Sequence, residues 1–354
     1  MPSSLSHLTG CLAGLALGDA LGTPTQPTPE ATRELYGGPV TTFLAPGPDD
    51  PFGHAGLKAG QITDDTQAAL ALVNAVIREG RFSLEIAAHA LVEWLDRIDA
   101  ASSPYIGPST KAAYHALKRG VPPTKSGLGG ATNGAAMRVA PLGFLRPDDL
   151  RATARLAAES AVPTHNTPIG LASAAAVACA VAQAAQSGTL DQVIEAAAFG
   201  AEEGARLYSG PPPFTPTPNL ARRIRWAVDL TGLPVSRLSG LPPDPHRWPD
   251  SVWQVLRELY DLVGAGMAAH ETVPTAFALV ALARGDPLTA ALLAANLGGD
   301  GDTIGAIAGA VCGAYRGVEA IPAEMIETLE SVNRLDFRQL AQAFLQAIGK
   351  TWFV

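Results

Sequence analysis

Capped helical segments made of small apolar residues recur along this chain, and they limit what it can fold into. Residues 166–185 read NTPIGLASAAAVACAVAQAA, where Thr167 is placed to cap a helix and Pro168 to fill its first position. Asp286 and Pro287 repeat this arrangement before another Ala/Leu-rich stretch. These caps and prolines predict many helices, and the small side chains predict that the helices pack closely.

Patterns typical of strands are scarce. Only residues 38–47, GPVTTFLAPG, suggest a short extended piece. Hydrophobic residues make up 47% of the 354 residues and charged residues 16%, which is enough to bury a sizeable core. The Pro-rich stretches at 211–219 and 242–249 have similar helical patterns on both sides, so we interpret them as surface loops. The sequence predicts a compact all-α fold with a single domain over residues 1–354.

Charge and cysteine content narrow the classes of partner. A formal net charge of −8 argues against nucleic acid and against an anionic membrane surface. The apolar run at 169–182 is too short to span a bilayer, and the first ten residues lack the basic region of a secretory signal. Cys11, Cys179 and Cys312 each lie in a run of small apolar residues, which predicts reduced, buried thiols. These features predict a cytoplasmic protein.

Two acidic clusters, TDDT at 63–66 and DGDT at 300–303, each precede an Ala-rich helical pattern. One interpretation is helix capping, because Thr and Asp are common at helix starts and acids there complement the helix dipole. Capping needs only one side chain per helix, however, and these two places hold seven with oxygen atoms. Hard oxygen ligands without His or Cys are those that Mg²⁺ or Mn²⁺ selects, and carboxylates this close repel each other without a cation. We therefore expect the clusters to meet at a site for two divalent cations.

The chain resembles the ADP-ribosylglycohydrolases, a family that includes dinitrogenase reductase-activating glycohydrolase and the ADP-ribosylarginine and ADP-ribosylserine hydrolases. The matching segments occur in order and span nearly the whole chain. They are GCLAGLALGDALGTP (10–24), GQITDDTQAALALV (60–73), NGAAMRVAPLGF (133–144), THNTP (164–168) and NLGGDGDTIGAIAGAVCGAYRG (296–317).

This resemblance implies an all-α domain with a binuclear Mg²⁺ or Mn²⁺ centre in a central cleft. It also implies hydrolysis of the glycosidic bond at C1″ of ADP-ribose, which releases ADP-ribose from an ADP-ribosylated protein or small molecule. Asp65, Asp302 and Gln26 are the candidate catalytic residues, with Asp65 as the base. The implied metal ligands are Thr63, Asp64, Asp65, Asp300, Asp302 and Thr303.

A glycine-rich segment at 125–138, KSGLGGATNGAAMR, is the candidate site for the diphosphate of ADP-ribose. Glycine lets backbone N–H groups approach phosphate closely. The alternative is a plain flexible connection. The candidate binding residues here are Lys125, Gly127, Gly129, Gly130 and Asn133.

His165 and Asp19 are two further polar residues to be considered. His165 matches a family position that lines the ADP-ribose cleft, although a lone histidine is equally consistent with a structural role. Asp19 lies between small residues, where it could cap a helix, belong to a packing motif or support the metal ligands from behind, and we favour the last. His54 and the remaining histidines show no spacing typical of metal ligands, so they are interpreted as structural.

Two departures from the family pattern bear on function. Many relatives have a glutamate where this chain has Gln26, and an amide can neither accept a proton nor supply negative charge. Arginine-directed relatives tend to carry an acid where this chain offers Tyr105. These changes favour a hydrolase that does not act on arginine. They also leave open an ADP-ribose-binding module with little hydrolysis, and a structural protein on the same fold.

Overall fold

Helices form nearly all the regular structure of the protein. The computed structural model describes residues 2–100, 103–186, 188–212, 217–235 and 241–349. Within these ranges the extended pairing is limited to two isolated bridges, Leu128 with Asn166 and Thr132 with Ala268. The all-α prediction is confirmed. The α-helices are α1 (Pro2–Gly22), α2 (Pro29–Tyr36), α3 (Asp64–Glu79), α4 (Leu84–Arg97), α5 (Pro108–Lys118), α6 (Pro123–Ser126), α7 (Gly134–Arg138), α8 (Leu150–His165), α9 (Pro168–Ala185), α10 (Leu190–Arg206), α11 (Leu220–Val235), α12 (Asp250–Glu258), α13 (Ala269–Leu282), α14 (Pro287–Ala295), α15 (Gly301–Arg316), α16 (Ala323–Asn333) and α17 (Phe337–Gly349).

The predicted helix starts are confirmed at α4, α9 and α14. The side chain of Ser83 accepts the N–H of Ile86 at the start of α4. Thr167 caps α9 and Asp286 caps α14 in the same way, each followed by proline at the first helical position. These starts could be read from the sequence because a cap and its helix are neighbours in the chain.

The extended piece expected at 38–47 is a loop without a strand. The side chain of Asn296 pairs with both backbone groups of Val40: its Oδ1 accepts the Val40 N–H at 2.9 Å and its Nδ2 donates to the Val40 carbonyl at 2.9 Å. An amide side chain from a distant helix end thus satisfies a backbone that a neighbouring strand would otherwise pair.

The closest helix contact joins α1 to α15 through facing glycines. Gly10, Gly14 and Gly18 of α1 lie against the backbone of α15, and a Cβ atom at Gly305 would lie 2.6 Å from the carbonyl oxygen of Gly18. Because no side chain intervenes, the two backbones touch, and the helices cannot slide along each other. This contact fixes the C-terminal half of α1 beside the N-terminus of α15.

The apolar run at 169–182, predicted as too short to span a bilayer, lies within the longer 18-residue helix α9, which by length and composition alone could cross a membrane, but 83% of this helix is buried inside the fold. Its residues contribute to the large hydrophobic cluster that extends from α1 to α17. Cys11, Cys179 and Cys312 are buried free thiols, as predicted.

The glycine contact predicts a strong asymmetry between two glycine-to-alanine substitutions. In Gly309→Ala the new methyl group would overlap the carbonyl oxygen of Gly14. We expect a loss of about 1–3 kcal/mol or more in the free energy of unfolding, because neither backbone can withdraw. Gly232→Ala is the matched control: it lies exposed in α11 with nothing near the added Cβ, and we expect a gain of about 0.5–1 kcal/mol. Urea denaturation measures both changes, and equal effects would contradict this account of the helix contact.

Candidate active site

The two acidic clusters meet in one cleft. Helices α3 and α15 both begin at this cleft, and its lining includes Asp64, Asp65, Asp300, Asp302 and Thr303. These residues are separated by more than 230 positions in the chain, and the packing of α1 against α15 brings them together. Thr63, predicted as a sixth member, is fully buried behind the cleft lining.

Asp19 of α1 holds the start of α3. Its carboxylate is fully buried and accepts the N–H of Thr63 at 3.0 Å and the N–H of Thr66 at 3.1 Å. It also accepts the hydroxyls of Thr63 at 2.8 Å and of Thr66 at 2.5 Å. A carboxylate from another helix therefore does the capping, and neither Thr63 nor Asp300 caps its own helix through its side chain. The capping interpretation of the acidic clusters is wrong for these residues.

Asp64, Asp65 and Asp302 are buried in the cleft, and Asp300 beside them is partly buried. Desolvation raises the pKa of Asp64 and of Asp65 well above the usual range, and repulsion from Asp302 and Asp19 raises both further. The pKa of Asp300 is raised in the same way, first by burial and then by Asp302. No lysine or arginine of the described chain lines this cleft to offset the charge. The aspartates therefore favour a bound cation, since lysine and arginine of the described chain are absent from this lining.

The donor set fits a hard divalent cation. Every acidic group in the lining is an aspartate, and the Oδ1 atom of Asp65 is buried without a hydrogen-bond partner in the described chain. An unpaired buried carboxylate oxygen is costly unless something binds it. Within the residues described, no three His, Cys, Asp or Glu side chains are already arranged around a common ion position. The chemistry of the lining thus matches Mg²⁺ or Mn²⁺, and binding would draw the carboxylates together.

Asn133 supports Asp300. Its Nδ2 donates to the Thr272 hydroxyl at 2.9 Å and also to Oδ2 of Asp300, while its own N–H donates to the Met267 carbonyl at 2.9 Å. Asn133 lines the cleft, and its predicted contact with the diphosphate stays a prediction. Its amide is already committed to the acidic cluster, so its place is beside the aspartates.

His54 belongs to the site although the sequence suggested only a structural role. It lies in the long loop between α2 and α3, and its Nε2 is 3.4 Å from Oδ2 of Asp302. Asp50 anchors this part of the loop by accepting the N–H groups of Phe52 and His54 at 3.0 and 2.9 Å. No local motif marks His54, because its partner Asp302 is distant in the chain.

The glycine-rich segment reaches the cleft only at its far end. Gly127 and Gly130 pack against the last turn of α8, where a Cβ atom at either position would overlap its backbone carbonyls. Gly129 has φ +94° and faces open space, and Lys125 is exposed. None of these four residues lines the cleft. Close packing explains two of the glycines, and the predicted contact with a diphosphate remains a prediction.

His165 lies beneath the cleft wall. It is fully buried and its two ring nitrogens contact the hydroxyls of Thr164 and Thr132 at 2.7 and 2.8 Å. Thr132 lines the cleft, whereas His165 does not. The expectation that His165 lines the cleft is therefore wrong, because Gly134 and Thr132 lie between its ring and the open space.

Gln26 and Tyr105 differ in position. Tyr105 lines the cleft, with its ring centroid 6.1 Å from that of His54. Gln26 is partly exposed, its Nε2 donates to the carbonyl of Pro24 at 3.4 Å, and it is not part of the lining. A catalytic role for Gln26 remains a prediction and needs a movement of this side chain toward the aspartates.

The sequence is similar to one family model and to several known proteins over most of its length. The sequence model described as ADP-ribosylglycohydrolase matches residues 1–352. An uncharacterized protein of Escherichia coli strain K12, YegU, is 35% identical over 343 residues that cover 95% of this chain and 96% of its own. Human ADP-ribosylhydrolase ARH3 is 28% identical over 390 residues, covering 98% of this chain and 95% of its own. ADP-ribosylarginine hydrolase Tri1 of Pseudomonas putida is 26% identical over 343 residues, covering 92% and 74%.

A solved structure has the same fold. An ADP-ribosylglycohydrolase-related protein complex contains a chain that superposes with a TM-score of 0.68 at 24% identity. The match covers 98% of this chain and 100% of that one. At this identity the similarity concerns the fold alone.

The raised pKa values predict how pH and metal act together on stability. A carboxyl whose pKa is higher in the folded state than in the unfolded chain binds its proton more tightly when folded. The free energy of unfolding of the metal-free protein therefore falls as pH rises from about 4, the unfolded value, through the raised folded values; that of Asp19 is about 6. We expect Mn²⁺ to raise the melting temperature more at pH 8 than at pH 5.5, because the carboxylates are then ionised and repel.

Asp302→Asn separates repulsion from metal binding. It removes the charge that repels the other aspartates, so we expect the metal-free protein at pH 8 to melt about 2–4 °C higher and its response to Mn²⁺ to shrink. Differential scanning calorimetry with EDTA or Mn²⁺ measures both quantities. A variant that loses stability without metal and keeps the full Mn²⁺ response would contradict the repulsion.

Proposed function

Because this chain belongs to the ADP-ribosylglycohydrolase family, we propose that it hydrolyses the bond between C1″ of ADP-ribose and an acceptor, and that it needs divalent cations to do so. Family membership supports an ADP-ribosyl hydrolase activity. The observation that supports the finer proposal is the convergence of four aspartates from two distant helix starts on one cleft. A cluster of buried carboxylates without a lysine or arginine partner is typical of a functional site.

Two Mg²⁺ or Mn²⁺ ions would be held by Asp64, Asp65, Asp300 and Asp302, with Thr63 and Thr303 beside them. When bound, the ions supply positive charge that orients the distal ribose and activates water. Asp19 acts from behind by fixing α3, so that Asp64 and Asp65 face the cleft. Asn133 does the same for Asp300.

Asp65 is the proposed general base. Its two oxygens are proposed to divide the work: Oδ2, 3.1 Å from a Thr63 hydroxyl that donates to the closer Asp19, would hold a cation, and Oδ1, which has no hydrogen-bond partner in the described chain, would take the proton. Water adds OH to C1″ and its proton passes to Asp65, while the electron pair of the broken C1″ bond leaves with the acceptor, which takes up the proton that Asp65 then gives back.

A second candidate function is an ADP-ribose-binding module with little hydrolysis. It is favoured by Gln26, whose amide stands where many relatives have a glutamate and turns toward Pro24. Both functions predict binding of ADP-ribose, but only the hydrolase predicts release of ADP-ribose from an acceptor.

Release of free ADP-ribose tests the hydrolase. We expect the metal-free protein to be inactive with ADP-ribosylated serine peptide and to regain activity with Mg²⁺ or Mn²⁺. Asp65→Asn should lower kcat by about 10²-fold or more, since it removes the base. Asp148→Asn, which changes an exposed aspartate outside the cleft lining, is the control and should keep full activity. Tight ADP-ribose binding without turnover under any metal condition would favour the binding module.

The acceptor side of the cleft supports a proposal about specificity. All the carboxylates in the lining are the four aspartates assigned to the cations, and the remaining wall includes Phe52, Tyr105 and Met267. A guanidinium is always charged and is usually bound by a carboxylate. We propose that the preferred acceptor is uncharged or O-linked, although the relative Tri1 is named for arginine.

An acceptor comparison tests this proposal. Leaving a guanidinium without a carboxylate costs about 1–3 kcal/mol, so we expect kcat/KM for ADP-ribosyl-arginine to be roughly ten- to hundredfold below that for ADP-ribosyl-serine. Tyr105→Glu adds an acid to the wall and should narrow the gap, while Tyr105→Phe should not. Efficient release from arginine by the unmodified protein would contradict the proposal.

A further inference from the structure

His54 and Asp50 each have a buried polar atom without a hydrogen bond. Only 5% of the His54 side chain and 0% of the Asp50 side chain are exposed. The Nδ1 atom of His54 and the Oδ2 atom of Asp50 have no hydrogen-bond partner in the described chain. The other carboxylate oxygen of Asp50, Oδ1, lies 3.8 Å from Nδ1 of His54. Unpaired buried polar atoms are costly, so their presence beside the cleft indicates a function.

The neighbours of the His54 ring indicate which nitrogen carries its hydrogen. A carboxylate accepts hydrogen bonds, and Asp50 is the acidic group next to Nδ1. A neutral imidazole has one N–H, so a hydrogen on Nδ1 leaves Nε2 with a lone pair. Nε2 lies 3.4 Å from Oδ2 of Asp302. In this tautomer two electron-pair donors lie next to each other, and a cation bound by both removes their repulsion.

A direct hydrogen bond between His54 and Asp302 fits the distance poorly. N–H···O bonds in proteins are about 2.7–3.2 Å long, and those between charged partners are at the short end of this range. Two ligand atoms that lie about 2.1 Å from one octahedral ion are roughly 3 Å apart at a right angle and farther apart at wider angles. The observed 3.4 Å therefore suits two atoms that bind the same ion.

Neighbouring groups hold the imidazole of His54 in place. Gly53 has φ +86°, and a Cβ atom there would lie 2.9 Å from the Cβ atom of Pro104. The loop that carries His54 therefore packs directly against the loop that carries Tyr105. The centroid of the His54 ring is 6.4 Å from that of Phe52 and 6.1 Å from that of Tyr105. A ring fixed by packing in this way loses little freedom when it binds an ion.

We propose that His54 binds, through Nε2, the divalent cation that Asp302 holds, and that Asp50 fixes its tautomer through Nδ1. This rests on the proposed function for the presence of the cation. A metal-bound histidine usually donates its other ring N–H to a carboxylate, which is the relation of His54 to Asp50. The 3.8 Å between Nδ1 and Oδ1 becomes an ordinary hydrogen bond with a movement of about 1 Å. One nitrogen thus joins a set of ligands that is otherwise oxygen.

A nitrogen ligand changes which ion the site prefers. Mg²⁺ favours oxygen ligands and keeps several waters, whereas first-row transition metals bind imidazole more readily. We expect titration calorimetry to show at least tenfold tighter binding of Mn²⁺ than of Mg²⁺. His54→Gln should lower the Mn²⁺ affinity about tenfold or more and change the Mg²⁺ affinity little, because only the nitrogen is lost.

Two further variants separate the role of Asp50 from that of any histidine. Asp50→Asn keeps an oxygen for the N–H groups of Phe52 and His54, but removes the carboxylate beside Nδ1. We expect it to weaken Mn²⁺ binding about tenfold. His89→Gln is the matched control: this exposed histidine lies 3.5 Å from Glu93, outside the cleft lining, and both ions should bind normally to the variant.

Electron spin echo spectroscopy of the Mn²⁺-loaded protein detects the nitrogen without any hydrolysis. The unmodified protein should show the ¹⁴N modulation of a bound imidazole, and incorporation of ¹⁵N-histidine should replace it with that of ¹⁵N. This experiment uses the unmodified chain, so it does not depend on the folding of a variant. The modulation should be lost in His54→Gln and kept in His89→Gln.

The outcomes distinguish the ligand from the hydrolase. Mn²⁺ bound without coupling to a histidine nitrogen, or a coupling that persists in His54→Gln, would overturn the proposal and leave the hydrolase intact. A protein that binds no Mn²⁺ would overturn it together with the metal dependence of the proposed function. Histidine coupling in a protein that never releases ADP-ribose would support the proposal and contradict only the hydrolase.

Discussion

The contact between the glycine faces of α1 and α15 is the constraint on which the site depends. A glycine in a helix interior costs roughly 0.5–1 kcal/mol relative to alanine, so helices with glycine at every fourth position are poor helices by themselves. The cost is offset only where the backbones pack together, as Gly14 and Gly309 do. The same contact places Asp19 of α1 close to the first turn of α15, which carries Asp302.

One carboxylate of α1, that of Asp19, determines where α3 begins. Asp19 takes the N–H groups of Thr63 and Thr66 and both hydroxyls, so α3 starts at a position set by α1. Because Asp19 caps α3, the side chains of Asp64 and Asp65 do not have to, and they lie near the aspartates of α15. The result is a cluster of like charges that the fold brings together in spite of their repulsion. Such a cluster contributes nothing to the stability of the metal-free protein, and its value lies in the ligand it attracts.

A positive charge, that of Arg138, lies behind another wall of the cleft. Arg138 is buried among carbonyl and hydroxyl oxygens, and a row of hydrogen bonds carries its influence to Thr132. The site therefore has charged groups at two depths: the aspartates lie at the surface of the cleft and the arginine lies behind it.

The sequence by itself determined the all-α class, the helix starts at Ser83, Thr167 and Asp286, and the two acidic clusters, because each depends on residues that are neighbours in the chain. It did not show that Asp19 does the capping, that His54 faces Asp302, or that His165 lies behind Thr132. These relations join residues from separate elements, and only the packing of the helices decides them. Even the glycine repeat at every fourth position indicates a close helix contact without naming its partner. The tertiary structure decides that partner. A helix face of glycines has no side chains, so it packs closely only against another helix face without side chains.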